Sequence, residues 1–181
     1  MHACLLGSTV HVVSGCGHPR CLTCPSLNPS NSFTSSISGR AYKVLGTQAL
    51  TCSTKSIVYL ITCKRCGIQY VGETGQQLMR RMSNHRNRIK SLQPQPLYNH
   101  LNSDGHSLDD LTIQPIEEVV LEPGDEMSLH SKRLSRENFW MRELKTIQPY
   151  GLNDNVRSVG NISKLSEEPV VWSFFHRRSS M

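Results

Sequence analysis

Two short apolar runs near the middle of the chain set the pattern for the elements around them. They occupy residues 57–61 and 68–72, and each combines β-branched residues with one tyrosine. This composition is typical of strands, and Gly67 in the polar segment between the runs is suited to a turn. The pattern therefore predicts a β-hairpin.

A helix is predicted directly after the hairpin, with its start near Gln76 or Gln77 and with Thr74 as its N-cap. One face of this helix is outlined by residues three or four positions apart: Leu78, Met82, His85 and Ile89. Between residues 75 and 90 there are five positive charges and no acidic residue. Such a run is either a solvated face or a surface that meets phosphate groups.

Downstream, the pattern predicts another strand and a second long helix. Residues 111–121 are mostly apolar or β-branched, with Pro115 marking a bulge or a sheet edge. After a turn at 122–126, a helix is expected from about 127 to 146, ended by Pro149 and Gly151. Its apolar side comprises Leu134, Phe139, Trp140, Met141 and Leu144. In the tail, the run 170–175 suggests an edge strand or a hydrophobic end.

These elements predict an α+β fold in which a small mixed or antiparallel sheet is flanked by helices. A length of 181 residues fits one domain, or one domain with a small satellite. We expect a leader of unknown role at 1–15, a cysteine-rich zinc knuckle and linker at 16–54, the main domain at 55–155 and a tail at 156–181. The stretch 25–38, rich in serine and asparagine, is predicted to be a loop.

Charge and cysteine content narrow the classes of function. The chain has 20 Lys and Arg against 14 Asp and Glu, a net charge of +6 that is compatible with a polyanionic partner. No apolar run is long enough to span a membrane, and the stretch 3–13 does not resemble a secretory signal. Seven cysteines, arranged partly as CxxC pairs, favour an intracellular metal-binding protein over a disulfide framework.

A first group of cysteines predicts a zinc site near the N-terminus. Cys16, Cys21 and Cys24 lie on a short stretch with turn-forming glycine and proline, and Cys52 follows the spacer. Four thiolates bind Zn²⁺ tetrahedrally, and His18 is an alternative to one of them. The competing interpretation is a set of reduced cysteines in a poorly ordered leader.

A second group lies within the main domain. Cys63 and Cys66 form a CxxC at the hairpin turn, where both thiolates can face one ion. His100 and His106 follow with the wide spacing found in Cys₂His₂ zinc sites. The alternative is that the cysteines are idle, that His100 is a buried helix residue and that His106 caps a helix end.

Three motifs in this order resemble the GIY-YIG endonuclease domain: Val58-Tyr59-Leu60, Tyr70-Val71-Gly72, and Arg81 with His85 four residues later. The first motif replaces Gly-Ile-Tyr but keeps a tyrosine, and the second has valine for isoleucine. Within this superfamily, the cysteine pair in the hairpin and the phrases 136–140 and 146–153 are similar to the endonuclease of Penelope-like retroelements. The resemblance covers about residues 16–155.

The resemblance implies a GIY-YIG nuclease core that nicks DNA by metal-dependent phosphodiester hydrolysis, leaving a 5′ phosphate and a 3′ hydroxyl. Glu137 would hold Mg²⁺ or Mn²⁺, and Arg81 would steady the phosphoryl charge. Tyr59 would act as the base or orient the water, Tyr70 would contact the scissile phosphate, and His85 would share proton transfer or bind phosphate. Because the pKa of tyrosine lies near 10, Tyr59 is a poor base at neutral pH unless the metal or Arg81 lowers it.

The same resemblance extends to DNA contacts and to the second metal group. The positions expected to bind DNA are Gly72, Arg80, Arg86, Arg88 and Asn153. Gly72 would permit close backbone approach, and Asn153 would tie the last turn to the site or to DNA. The Penelope-like branch carries a Cys-Cys-His-His zinc site whose cysteines lie between its two tyrosine motifs, which agrees with the hairpin cysteines here.

Other interpretations compete with this one. Tyr59 and Tyr70 can be ordinary strand aromatics, and Glu137 can be a surface ion pair with a neighbouring arginine. The chain can also be a zinc-stabilised DNA-binding module that no longer cuts, or a repair or resolvase nuclease with the same core. We expect DNA as the partner, no membrane, and a reverse transcriptase domain supplied elsewhere, since this chain holds nothing of that size. A DNA substrate implies a nuclear, intracellular location.

Overall fold

A three-stranded antiparallel sheet lies at the centre of the molecule. The structure is a computed structural model and describes residues 12–156. Its strands are β1 (Ser32–Thr34), β2 (Ala41–Lys43), β3 (Ile57–Cys63), β4 (Gln69–Thr74) and β5 (Leu111–Glu118). Its α-helices are α1 (Leu78–Lys90), α2 (Pro96–Leu101) and α3 (Leu129–Glu143), and short 3-10 turns lie at Cys24–Ser26 and Leu108–Asp110. The α+β class predicted from the sequence is confirmed.

Strand β3 is the middle strand of the sheet, in the order β4-β3-β5. One face of β3 packs against α1 and α2 through Ile57, Tyr59 and Ile61. The other face, with Val58 and Leu60, packs against α3 and the N-terminal region. Because both faces are covered, the strand is a continuous apolar run rather than an alternating one.

The edge strand β5 accommodates a proline, as the sequence predicts. The pairing of β3 with β5 shifts between Val58 and Tyr59, so that Tyr59 lies opposite Pro115. Proline has no N–H to donate to a ladder, and both a bulge and an edge strand tolerate that loss. The strand ends at Glu118, three residues before the predicted end.

The N-terminal region is more regular than predicted. The stretch 25–38, expected to be a loop, contains β1, which pairs with β2 in a two-stranded antiparallel hairpin. Phe33 anchors this hairpin on α3, with its ring centroid 5.1 Å from that of Trp140. The loop prediction is wrong for β1 because one buried aromatic fixes a strand too short to show a periodic pattern.

The start of α1 is held by the cysteine-rich region rather than by a side-chain cap. The prediction of Thr74 as N-cap is wrong, because the helix begins after Gln77, whose side chain makes no capping hydrogen bond. Two backbone N–H groups of the first turn donate instead to carbonyl oxygens upstream: Leu78 N to Thr54 O at 3.1 Å, and Met79 N to Cys52 O at 2.8 Å. The segment around Cys52 therefore fixes the position of α1.

The predicted apolar face of α1 is confirmed, since all four of its residues are buried. Helix α3 is slightly shorter than predicted, and α2 was not predicted as an element of its own. None of the helices within residues 12–156 has the length and apolar character needed to cross a membrane. The tail run 170–175 and most of the leader 1–15 lie outside the described residues.

Candidate active site and metal centres

Tyr59 is the innermost residue of the candidate active site. It lies in the middle of β3, is completely buried, and has Gly72 of β4 as its cross-strand partner. A Cβ atom at residue 72 would collide with the Tyr59 phenol, which lies across that position. Gly72, predicted at the sequence level as a DNA-binding position, thus makes room for the tyrosine of the neighbouring strand.

A chain of hydrogen bonds connects Tyr59 to α1 and α2. Arg81 Nε donates to Tyr59 Oη at 2.8 Å, and the same hydroxyl lies 2.7 Å from His85 Nε2. On the other side of the imidazole, His85 Nδ1 lies 3.1 Å from Tyr98 Oη. Arg81 and His85 reach one phenol because they are one helical turn apart. The structure therefore brings three predicted residues together and adds Tyr98.

Tyr98 is a site residue that the sequence analysis missed. It lies on α2, where Pro96 occupies the first turn and Leu97, Tyr98 and Leu101 are buried. Proline at a helix start and leucines four residues apart are signals for a short helix. Because α2 has only six residues, it is shorter than the window in which helical periodicity is informative.

The environment raises the pKa values of both Tyr59 and Arg81, whereas base catalysis by Tyr59 would require a lowered pKa. Burial raises the pKa of Tyr59 well above 10, Tyr70 and Glu137 add to the shift, and Arg81 offsets only part of it. Burial acts to lower the pKa of Arg81, but the phenols of Tyr59 and Tyr70 outweigh it and raise that pKa. Tyr59 therefore stays neutral, and its hydroxyl is hydrogen-bonded to Arg81, which stays positively charged.

We expect His85 to remain neutral throughout the physiological pH range. Burial lowers its pKa to about 3, with help from the positive charges of Arg81, Arg88 and Arg86. An imidazole with the ordinary pKa of about 6.5 would be mostly protonated at about pH 5.5. Ring-nitrogen NMR of the zinc-loaded protein should show an unchanged, neutral His85 down to that pH. A titration midpoint near 6.5 would contradict this expectation.

The same shift gives the free energy of unfolding a pH dependence of definite sign. The unfolded chain takes up a proton on His85 near pH 6.5, whereas the folded chain does so only at about pH 3. The contribution of His85 to the free energy of unfolding is therefore fully present above about pH 6.5 and is lost as the pH falls towards about 3. For one titrating group, the free energy of unfolding changes by at most roughly 1.4 kcal/mol per pH unit. In urea unfolding, the free energy of unfolding of His85→Gln should therefore fall less steeply with decreasing pH than that of the wild type, by up to this amount.

Strand β4 has its outer edge covered by two of the predicted site residues. Glu137 Oε1, on α3, accepts a hydrogen bond from the Glu73 backbone N–H at 3.1 Å. Asn153 pairs with Val71 through two bonds, its Nδ2 donating to the carbonyl at 2.8 Å and its Oδ1 accepting from the N–H at 2.9 Å. Asn153 thus ties the turn after α3 to β4.

Glu137 is buried, with 1% of its surface exposed, so the alternative of a surface ion pair is wrong. Two arginines that precede it on α3 bond to carboxylates on the sheet: Arg133 Nε to Glu73 at 2.9 Å, and Arg136 Nε to Glu117 at 2.7 Å. Buried carboxylates are costly to maintain and in proteins are paired or bind metals. Glu137 also lies close enough to Tyr59 for its charge to raise the pKa of that phenol, and a buried carboxylate in this position is a candidate metal ligand.

Tyr70 connects this buried group to the surface. Its ring lies edge-on to His85 at 5.9 Å, and it lines a surface cleft of about 90 Å³ together with Met141 and Asn153. Both Tyr59 and Tyr70 belong to the apolar core, so their packing is that of strand aromatics. That role does not account for the hydrogen bond that Tyr59 accepts from the partly buried Arg81.

The predicted ligands within the main domain gather beside the hairpin turn. The ligand atoms of Cys63, Cys66, His100 and His106 all lie within 4.8 Å of one another. Cys63 Sγ is 3.5 Å from His106 Nδ1, and Cys66 Sγ is 3.5 Å from His100 Nε2. Sulfur and nitrogen ligands of a tetrahedral zinc ion are about 3.5 Å apart, given the usual zinc–ligand distances. The cluster therefore has the dimensions of a zinc site.

The N-terminal cysteines form a second cluster beside the start of α1. The sulfurs of Cys16, Cys21, Cys24 and Cys52 also lie within 4.8 Å of one another. Cys24 Sγ is 3.7 Å from Cys16 Sγ and 3.5 Å from Cys52 Sγ. Sulfurs around a tetrahedral zinc ion are about 3.8 Å apart. His18 is not a member of this group, and its Nδ1 accepts from the Arg20 N–H.

The arginines of α1 that were predicted to contact DNA divide into two kinds. Arg80 and Arg88 are exposed to solvent. Arg86 instead reaches the cysteine-rich region, where its guanidinium donates to Leu22 O and to Thr23 Oγ1. Arg86 therefore fastens that region onto α1.

Comparison with protein families matches residues 55–151 to the GIY-YIG catalytic domain. The matched stretch runs from β3 to the turn after α3 and contains Tyr59, Tyr70, Arg81, His85 and Glu137. Asn153 and the N-terminal cysteine cluster lie outside it. No curated protein and no solved structure matches the chain.

Proposed function

The chain belongs to the GIY-YIG family of nucleases, and we propose that it is a metal-dependent endonuclease that nicks DNA by phosphodiester hydrolysis. One observation carries this proposal. The phenol of Tyr59 accepts a hydrogen bond from a partly buried arginine, Arg81, and lies close enough to a buried carboxylate, Glu137, for that charge to raise its pKa. A cation and an acid placed together inside a protein are suited to a reaction that moves negative charge.

Arg81 is proposed to stabilise the charge that builds on the phosphoryl oxygens during hydrolysis. Its Nε is occupied by Tyr59, which leaves the terminal nitrogens of the guanidinium for phosphate. The side chain is largely buried, where electrostatic stabilisation is stronger than in water. Since His85 is neutral, it supports Tyr59 without placing a second charge beside the guanidinium.

Glu137 is proposed to hold the catalytic cation, Mg²⁺ or Mn²⁺. These ions prefer oxygen ligands, and Mg²⁺ keeps several waters and takes phosphate oxygens of the substrate, so one carboxylate is a sufficient anchor. The buried carboxylate, close enough to Tyr59 for its charge to raise the pKa of that phenol, fits such an ion. When bound, the ion would activate water and neutralise charge on the phosphate.

The two tyrosines are proposed to position the reactants. Because burial raises the pKa of Tyr59, its hydroxyl is better suited to orienting the attacking water than to removing a proton. Tyr70, beside the surface cleft, is proposed to contact the scissile phosphate.

Each of the two clusters is proposed to bind one structural zinc ion. Four ligands with no open position are typical of structural rather than catalytic zinc. The cluster of Cys63 and His106 would join the hairpin turn to α2, and the four-cysteine cluster would hold the start of α1.

The location of the Cys63–Cys66 pair between the two tyrosine motifs supports a further proposal, that the domain derives from a Penelope-like retroelement. In that setting a nick would prime reverse transcription by a domain supplied elsewhere, and the protein would work in the nucleus. A repair or resolvase nuclease shares the same catalytic core, and the hairpin cysteines favour the retroelement origin over it.

The chemistry of the cut ends tests the proposed function. The zinc-loaded chain with Mg²⁺ or Mn²⁺ should nick a labelled duplex oligonucleotide and leave a 5′ phosphate beside a 3′ hydroxyl. DNA ligase should then reseal the nick without prior treatment of the ends. Ends that require a kinase or phosphatase before sealing would contradict hydrolysis of this kind.

A further inference from the structure

A basic groove runs along α1 where the cysteine-rich region is docked onto it. Its volume is about 320 Å³, and its lining includes Arg20 from the loop between Cys16 and Cys21, and Arg80, Arg86 and Lys90 from the helix. The rest of the lining includes the polar Ser83 and Asn87 and the apolar Leu22 and Met79, and none of the lining residues is acidic. The groove therefore concentrates positive charge from two separate parts of the chain.

The groove continues to the segment between β4 and α1. A second hollow of about 280 Å³ shares Arg80 with it and adds Lys55, Gly75 and Gln77, again with no acidic lining residue. Gly75 lies two residues after Glu73, whose backbone N–H binds Glu137. Because they share Arg80, the two hollows form one track of cations that runs from the end of β4 along the outer side of α1.

The residues of α1 show that this side of the helix is distinct from the catalytic side. Arg81 is directed inward to Tyr59, whereas the adjacent Arg80 is exposed and lines both hollows. Arg88, also exposed, is not among the residues of the track. Arg86 is committed to Leu22 and Thr23, so it builds the groove by holding the loop in place.

We propose that this track, with Arg20, Lys55, Arg80 and Lys90 as its cations, binds the phosphate backbone of duplex DNA. The inference rests on the proposed nuclease function and adds the path by which the DNA reaches the site. Arginine and lysine contacts to phosphate are independent of sequence and position the duplex without reading bases. The N-terminal cysteine cluster then has a second role, since it presents Arg20 to the DNA.

The salt dependence of DNA binding tests the track. Each phosphate neutralised by a protein cation contributes about 0.9 to the slope of log K against log salt concentration for B-DNA. The double variant Arg20→Gln/Lys90→Gln should therefore bind a labelled duplex with a slope smaller by about 2, to the same extent for unrelated sequences. Binding is measured on the zinc-loaded chain without added Mg²⁺, so that the duplex stays intact.

A matched double variant controls for the loss of charge. Lys43→Gln/Arg142→Gln removes two exposed cations from β2 and α3, on the opposite side of the sheet from α1, and should keep the wild-type slope. The single variant Arg20→Gln provides a second control, because Arg20 lies outside the helices and Lys90 is the last residue of α1. Arg20→Gln should lower the slope by about 1, even where the Lys90 substitution loosens the end of the helix. Thermal melting and zinc content confirm that each variant is folded.

The outcomes separate the track from the nuclease function. Equal slopes for the two double variants, or a wild-type chain that does not bind duplex DNA at low salt, would overturn the track. A slope that is reduced only in the Arg20/Lys90 variant supports the track, and this holds even if the DNA stays intact after Mg²⁺ is added. Intact DNA in that case counts against the proposed cleavage and leaves the binding path in place.

Discussion

Replacing Glu137 by glutamine should abolish DNA cleavage while leaving the fold in place. Glutamine has the shape of glutamate, and its carbonyl oxygen can still accept the hydrogen bond from the Glu73 N–H. It lacks the negative charge needed to anchor a divalent cation. Losing the ion and its stabilisation of the developing charge should lower the single-turnover nicking rate by at least about 10³-fold.

The matched control for this variant is Glu126→Gln, the same chemical change on the exposed loop before α3. It should cut at the wild-type rate. Both variants should melt within a few degrees of the wild type and carry the same amount of zinc. A folded Glu137→Gln protein that nicks DNA within tenfold of the wild-type rate would show that this carboxylate is not the metal anchor.

Replacing Cys63 by serine should remove one zinc ion and unfold most of the domain. Cys63 is the buried last residue of β3, and its cluster joins the hairpin turn to His100 on α2. A helix of six residues is far too short to be stable by itself, so α2 depends on that junction. Structural zinc binding is worth about 10–16 kcal/mol in small zinc domains, as much as the whole stability of a typical domain, about 5–15 kcal/mol.

Zinc content by atomic emission, measured beside thermal melting by circular dichroism, checks this expectation. Cys63→Ser should retain about one zinc ion fewer than the wild type and lose its cooperative transition. His18→Gln, which changes a histidine outside both clusters, should alter neither quantity. A Cys63→Ser protein that melts like the wild type despite the missing ion would mean that the zinc has no structural role.

The central hairpin and α1 were predictable because their signals are local. The runs in β3 and β4 have strand composition, and the apolar spacing along α1 extends over more than three turns, enough for a helical period to be recognised. The motif residues on these elements then come together because a strand pair and the helix that follows it are neighbours in space. Tyr59, Arg81 and His85, which the family resemblance identified, meet for this reason.

The rest of the site depends on contacts between distant parts of the chain. Tyr98 reaches His85 from a six-residue helix, and the carbonyl of Cys52 replaces the side-chain cap expected from Thr74. The spacing of apolar residues in the sequence indicates neither contact, because each contact involves one residue brought in by tertiary packing. The two metal clusters were predictable in spite of their long-range closure, since cysteine and histidine spacing restricts the possible ligand sets.

Burial of charge was the least predictable property. The surface ion pair considered for Glu137 is a reasonable expectation for a glutamate among arginines, but here the carboxylate is buried, with 1% of its surface exposed. Likewise, the effect of Arg81 on the pKa of Tyr59 is outweighed by desolvation, which depends on packing around the phenol. The sequence identifies the titratable groups of a site, but the packing around these groups determines whether they are ionised.

Conversion of a supercoiled plasmid to its nicked form tests most directly whether the centre of Tyr59, Arg81 and Glu137 cuts DNA. The wild-type chain is incubated with Mg²⁺ or Mn²⁺ beside Arg81→Ala at matched zinc content, so that misfolding is not mistaken for lost chemistry. Nicking by the wild type alone is the predicted result. A folded, zinc-loaded wild type that binds the plasmid and leaves it supercoiled with both ions would contradict the nuclease function and identify a DNA-binding module.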